Sequence, residues 1–129
     1  MAGETGTGAP DAGFTLIELL IVTLVIGLLS AIAVPIFLSQ RDRATNASTI
    51  NDLSNAKLSL VAYAVQHDGQ YTADTELLRE YGFETSDGVE ISDIIILLDN
   101  EDFCIEAAAR TGTWFSVTEA AGVIEAACD

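Results

Sequence analysis

Basic residues are scarce in this chain: five Lys and Arg stand against twenty Asp and Glu, a formal charge of -15 over 129 residues. Nucleic acids and anionic membrane surfaces are held by basic patches, so this balance argues against both as main partners. The acidity reads as a solvated, self-repelling surface. Histidine occurs once, at His67, beside Asp68 in a turn-like stretch, and reads as a surface residue. Catalytic signatures are lacking as well. There is no GxSxG, no phosphate-binding glycine loop and no HExxH. Asp99, Glu101 and Asp102 form an acidic cluster without the spacing of an EF-hand loop, so a solvated turn is the preferred reading over calcium. These gaps predict a protein that is not an enzyme, with no cofactor and no bound metal. Nine aromatic residues are scattered rather than striped; Tyr63, Phe83, Trp114 and Phe115 read as core.

There are only two cysteines, Cys104 and Cys128, without the close spacing of zinc sites. A disulfide between them would close a loop of about 25 residues and contribute roughly 3–4 kcal/mol in the loop-entropy model. Two unpaired buried thiols are the alternative that the residues alone leave open.

What the chain does have is one long apolar run. Leu19 to Leu38 is twenty residues without a charge, and Phe14 to Leu38 carries one, Glu18. As a helix that stretch is roughly 37 Å long, enough to cross a ~30 Å hydrocarbon core. A cleaved secretory signal would begin with basic residues and have a shorter apolar region. The preceding residues 1–13 (MAGETGTGAPDAG) are small, polar and acidic and read as flexible. A membrane segment over residues 14–38 is therefore expected.

Beyond Gln40 the chain is polar but keeps helical periodicity. Ile50, Leu53, Leu60 and Ala64 form a stripe that Lys57 interrupts and that Leu58, Val61 and Val65 widen. Gly69 is the breaker. One helix is thus expected from near Phe14 to near Gln66, about 80 Å if unbroken. A connecting region follows over 67–88, with a short helix at Thr75–Tyr81, N-capped by Asp74 and ended before Gly82. Strand-like runs then occupy Val89–Leu98, closed by Asp99-Asn100, Phe103–Ala108 and Trp114–Thr118, and Val123–Ala127 suggests a fourth. Gly112 and Gly122 mark turns. The expected fold class is α+β: a long N-terminal helix whose amphipathic half (41–67) lies on a small antiparallel sheet (89–129). A soluble head over 39–129 is small enough to be only marginally stable alone, so a disulfide would matter to it.

The segment Gly13-Phe14-Thr15-Leu16-Ile17-Glu18-Leu19-Leu20-Ile21-Val22, with Pro35 further on, resembles the processing and assembly motif of type IV prepilins and their pseudopilin relatives. The close match covers about residues 13–38. The resemblance implies a leader over 1–13, cleaved after Gly13 by a prepilin peptidase, and N-methylation of the new N-terminus at Phe14. It implies that Glu18 is the acid needed for assembly, paired with the Phe14 amine of a neighbouring subunit; an unpaired carboxylate inside a membrane helix is costly. Gly27 and Pro35, both helix-weakening residues, mark where such helices lose regular structure in the filament; a kink in an intact helix is the alternative.

The implied function is that of a structural subunit of a type IV pilus, supporting adhesion, motility or DNA uptake. Its partners are other pilin subunits in a homo-polymer and the pilus assembly machinery. The precursor would cross the inner or cytoplasmic membrane once, C-terminus outside, and the filament would be extracellular. The leader departs from the family in having no Lys or Arg, and Arg41 and Arg43 follow the apolar run, an order that by charge alone would place the C-terminal side inside; the motif is the more specific signal. The resemblance extends to pseudopilins of type II secretion or competence systems, the second reading. A membrane-anchored binding domain that never polymerises is a third, and it would tolerate loss of Glu18. With the head outside the cell, a Cys104–Cys128 disulfide is expected.

Overall fold

The computed structural model describes residues 12–97 and 102–129, with Gly3, Gly6 and Gly8. Most of the expected leader, the Asp99-Asn100 turn, and Asp99 and Glu101 of the acidic cluster lie outside the described residues. The chain divides into two units, Met1–Leu38 and Ser39–Asp129.

The first unit consists of the start of α1, a helix assigned to Leu16–Gln66. Every side chain from Phe14 to Leu38 is exposed. The helix is long and apolar enough to cross a membrane, with a mean hydropathy of 2.8 over its most apolar stretch. It stays helical through Gly27 and Pro35.

In the second unit the remainder of α1 buries Thr49, Asp52, Leu53, Ala56, Ser59, Leu60 and Ala64. At 100° per residue these fall on one side of the helix. The stripe is narrower than expected. Leu58 is 69% exposed and Val65 78%, because both project roughly 120–140° from Leu53. The buried hydroxyls of Thr49 and Ser59 donate to Thr45 and Asn55 carbonyls four residues back, at 3.1 and 3.0 Å, which satisfies them without a partner from the sheet. The helix stops in a left-handed pair, Asp68 (φ 54°) and Gly69 (φ 82°), and the Gly69 N–H reaches back to Ala64 O at 2.8 Å.

A short helix, α2, spans Thr75–Arg79, with Asp74 accepting from the Glu76 N–H at 3.0 Å. It ends two residues before the expected Tyr81, because the Phe83 N–H closes onto Leu78 O across Gly82 at φ 89°.

The sheet is antiparallel in the order β1 (Glu90–Ile96), β2 (Phe103–Ala108), β3 (Trp114–Thr118). Phe103, Ile105 and Ala107 of β2, Phe115 and Val117 of β3 and Ile94 of β1 form one core with Leu53, Ala56 and Leu60 of α1, joined by Leu78 and Phe83. Full burial of a side chain such as Phe103, Ile105 or Leu60 is worth roughly 1.5–3 kcal/mol. Ser92 is an extra residue in β1: Ile91 opposes Ala107 and Asp93 opposes Glu106. This bulge lets Ile91 and Ile94, three apart, both pack against the core. Trp114, expected in the core, is 43% exposed; it alternates with the inward Phe115.

No fourth strand forms among the described residues. After β3 the chain makes a single bridge, Ser116 to Ile124, with paired N–H···O bonds of 3.0 and 2.9 Å. It then leaves the edge of β3, because Cys128 is bonded to Cys104 on β2, Cα–Cα 6.1 Å, and the Cys128 N–H donates to Glu106 Oε2 at 3.1 Å. Cys104, Glu106 and Ser116 share the sheet face opposite Phe103 and Ile105. A segment that must reach Cys104 over that face cannot also run on as an edge strand.

Candidate functional site

The start of α1 is built on a local exchange between two side chains. The Thr15 N–H donates to Glu18 Oε2 at 2.9 Å, and the Glu18 N–H donates to Thr15 Oγ1 at 3.2 Å. The Thr15 hydroxyl also donates to the same Glu18 oxygen, at 3.1 Å. This is a capping box: the cap residue and the third helical residue satisfy each other's orphan backbone donors. A carboxylate in the first turn is also favoured by the positive end of the helix dipole. Glu18 Oε2 is thereby occupied. Oε1 has no hydrogen-bond partner among the described residues. The carboxylate is held in one pose with one oxygen open.

Thr15 was not singled out by the sequence reading. The signal was present in Thr15-Leu16-Ile17-Glu18, a Thr-x-x-Glu spacing directly before an apolar run.

Gly13 and Phe14 precede the helix, with no regular secondary structure at residues 12–15, and both are exposed, Phe14 by 82%. A Cβ at Gly13 would meet nothing within 4 Å. The junction is thus an accessible, non-helical peptide four residues before Glu18. Phe14 stands four residues before Glu18, just outside the start of α1. Gly27 and Pro35 lie further along α1, with open space around Gly27. Cys104 and Cys128 sit far along the chain and form the disulfide of the head.

Other candidates do not assemble into chemistry. His67 is exposed, stacks on Tyr63 with ring centroids 3.8 Å apart, and has Nδ1 2.8 Å from Tyr63 O. Among the described residues no group of three or more His, Cys, Asp or Glu is placed to hold a metal ion. Asp102, the described member of the acidic cluster, accepts the Phe103 N–H at 2.7 Å and the Glu119 N–H at 3.3 Å through Oδ1.

Four polar residues of α1 position three loops. Asn46 accepts from the Thr111 hydroxyl at 2.7 Å. Asp52 holds Ser86, and Asn55 donates to Gly82 O at 3.0 Å. Lys57 reaches the carbonyls after β3. Their partners lie 27 to 65 residues away in sequence, so no local pattern announces them.

The prokaryotic N-terminal methylation motif matches residues 9–34. The chain is 31% identical over 112 residues to the major component of the type IV wide pilus of Thermus thermophilus, covering 86% of this chain and 84% of that one. It is 39% identical over 74 residues to the major component of the narrow type IV pilus of the same organism, covering 57% of this chain and 64% of the relative. No solved structure matches. With a capped apolar helix that carries the methylation motif, a small antiparallel sheet in the second unit, and a relative matched over most of both chains, this protein belongs to the type IV pilin family.

Proposed function

We propose that this chain is a structural subunit of a type IV pilus, made as a precursor, cut between Gly13 and Phe14 by a prepilin peptidase, N-methylated on Phe14 and assembled from the membrane into a homo-polymeric filament. The observation that carries the reading is the open oxygen of Glu18 in the first turn of α1, at the start of an apolar stretch exposed throughout to Leu38. Once Phe14 is the N-terminus, its cationic amine on a neighbouring subunit is the natural partner for Glu18 Oε1. That pairing sets the stagger between subunits and offsets the cost of a charge at membrane depth.

Further support comes from the head. Ile50, Leu58, Val61 and Val65 form a second apolar stripe on α1, away from the sheet, with Leu58 69% and Val65 78% exposed. In a filament that stripe packs on neighbouring helices. The precursor is held by residues 14–38 with the head (39–129) outside. Gly27 and Pro35 mark the stretch that gives up helix in the filament, and the pilus assembly machinery drives polymerisation. Both relatives are named as pilus components, which favours a pilus over a secretion or competence pseudopilin. The work is mechanical, and no catalysis is assigned.

The test is a Glu18→Ala protein. It is expected to insert, keep its head fold and give few or no filaments, measured as sheared filament yield normalised to membrane-held subunit. Glu18→Asp, with the charge kept but the reach shortened, is expected to be intermediate. Wild-type yield from Glu18→Ala would refute the assembly role and favour an anchored domain that does not polymerise.

A further inference from the structure

Lys57 stands where an apolar residue would continue the core stripe, between Ala56 and Leu60, and is half-buried. Its ammonium group donates to three backbone carbonyls: Thr118 at 2.8 Å, Glu119 at 2.7 Å and Ala121 at 3.0 Å. An ammonium has three N–H donors, so all are used. No carboxylate among the described residues pairs with it; the ion pair found there is Arg79 with Glu76. The loop is shaped to point its carbonyls at one place, with the Ala121 N–H held by Thr118 Oγ1 at 3.1 Å. Neutral acceptors converging on a point suit a cation, and the acidity of the chain raises the local preference for one.

We propose that the 118–121 loop is a cage for a primary ammonium ion, filled by Lys57 of the same chain, and that this ion fixes the start of the C-terminal segment 119–129 independently of the disulfide. The segment is tied at three places. The cage holds its start, the Ser116–Ile124 bridge its middle, and Cys128, bonded to Cys104 and Glu106, its end. Only the last tie depends on oxidation, so reduction frees the end and leaves the start closed. A guanidinium is a planar fork and cannot direct three donors at a convergent triad in this way. The cage belongs to the folded head and does not depend on polymerisation.

The experiment is hydrogen exchange by mass spectrometry on the full chain in detergent micelles, comparing residues 119–124 with β2. The reporters exist: the amides of Glu119, Ala121 and Ile124 are all hydrogen-bonded. Lys57→Met keeps an apolar stem and removes the ion. It is expected to speed exchange in 119–124 on the order of tenfold, the loss of a charged hydrogen-bond set, with β2 unchanged and the disulfide intact. Reduced wild-type protein is expected to keep 118–121 protected, and reduced Lys57→Met to lose protection on both sides of the Ser116–Ile124 bridge, its one remaining tie. In Lys57→Ala, propylammonium is expected to restore protection, whereas tetramethylammonium, which has no N–H, is not. Unchanged exchange in Lys57→Met, equal loss in β2 and the loop, or equal action of the two salts would overturn the proposal.

Discussion

The carboxylate of Asp52, buried on α1, accepts both the backbone N–H of Ser86 at 2.6 Å and its hydroxyl at 3.0 Å. A helix residue thus holds the loop between α2 and β1, 34 positions further along the chain. Removing the carboxylate deletes two charge-assisted hydrogen bonds. Asp52→Ala is therefore expected to destabilise the head by about 1–3 kcal/mol, read from denaturant unfolding of the full chain in micelles. Asp52→Asn retains one acceptor oxygen and should lose less. An Asp52→Ala protein as stable as wild type would show that water replaces the bonds.

The disulfide gives a second test. Cys104→Ser with Cys128→Ser is expected to cost roughly 3–4 kcal/mol, the loop-closure value for a 25-residue ring. The loss should appear as a lower unfolding midpoint of the head, matched by reduction of the wild-type protein. A midpoint unchanged by either treatment would mean that the other ties of the segment suffice.

Thr15 and Glu18 can be separated by substitution. Thr15→Ser keeps the hydroxyl bonds of the capping box and is expected to assemble normally. Thr15→Val loses both hydroxyl bonds while keeping the backbone N–H bond, so the pose of Glu18 loosens; loss of such a cap costs about 0.5–2 kcal/mol. Filament yield should fall between those of wild type and Glu18→Ala. Equal yields from Thr15→Val and wild type would show that the cap does not orient the acid.

Tyr71 predicts an alkaline limit. Its ring packs edge-on against Phe103 at 4.9 Å, and burial first, then the negative charges of Glu119 and Asp102, raise its pKa above the ordinary value. The folded state therefore holds the phenolic proton more tightly than the unfolded chain does. That contribution is complete below about pH 10, the unfolded value, and is lost as pH rises through the folded one. Head stability followed against phenolate absorbance should fall in that window. Tyr71→Phe, which keeps the ring, should remove this component of the fall; an identical alkaline profile in the variant would count against it.

Local features were legible in the sequence for physical reasons. The apolar run from Leu19 announces a helix because twenty consecutive uncharged, mostly apolar residues match the length of a membrane-crossing helix and far exceed that of a strand. Gly69 announces the helix end because the left-handed position there suits a residue without a Cβ. The alternation of Phe103, Ile105 and Ala107 announces a strand with one buried face. Thr15 is equally legible through its spacing to Glu18, the Thr-x-x-Glu pattern of a capping box.

What the chain determined by itself was thus everything carried by periodicity and short spacing: the membrane-length helix, its breaker, the three strands and the N-terminal methylation motif. Tertiary structure alone decided the rest. Leu58 and Val65 are apolar at helical spacing, yet the sheet covers only one side of α1 and leaves them exposed. The Ser92 bulge puts Ile91 and Ile94 in one core although their spacing is odd. Val123–Ala127 reads as a strand, yet the tie of Cys128 to Cys104 draws it off the sheet edge. Lys57 reads as a flaw in a stripe until the carbonyls of Thr118, Glu119 and Ala121 close around it. Local pattern records which face a residue prefers. What covers that face is set by segments tens of residues away, and only packing brings them together.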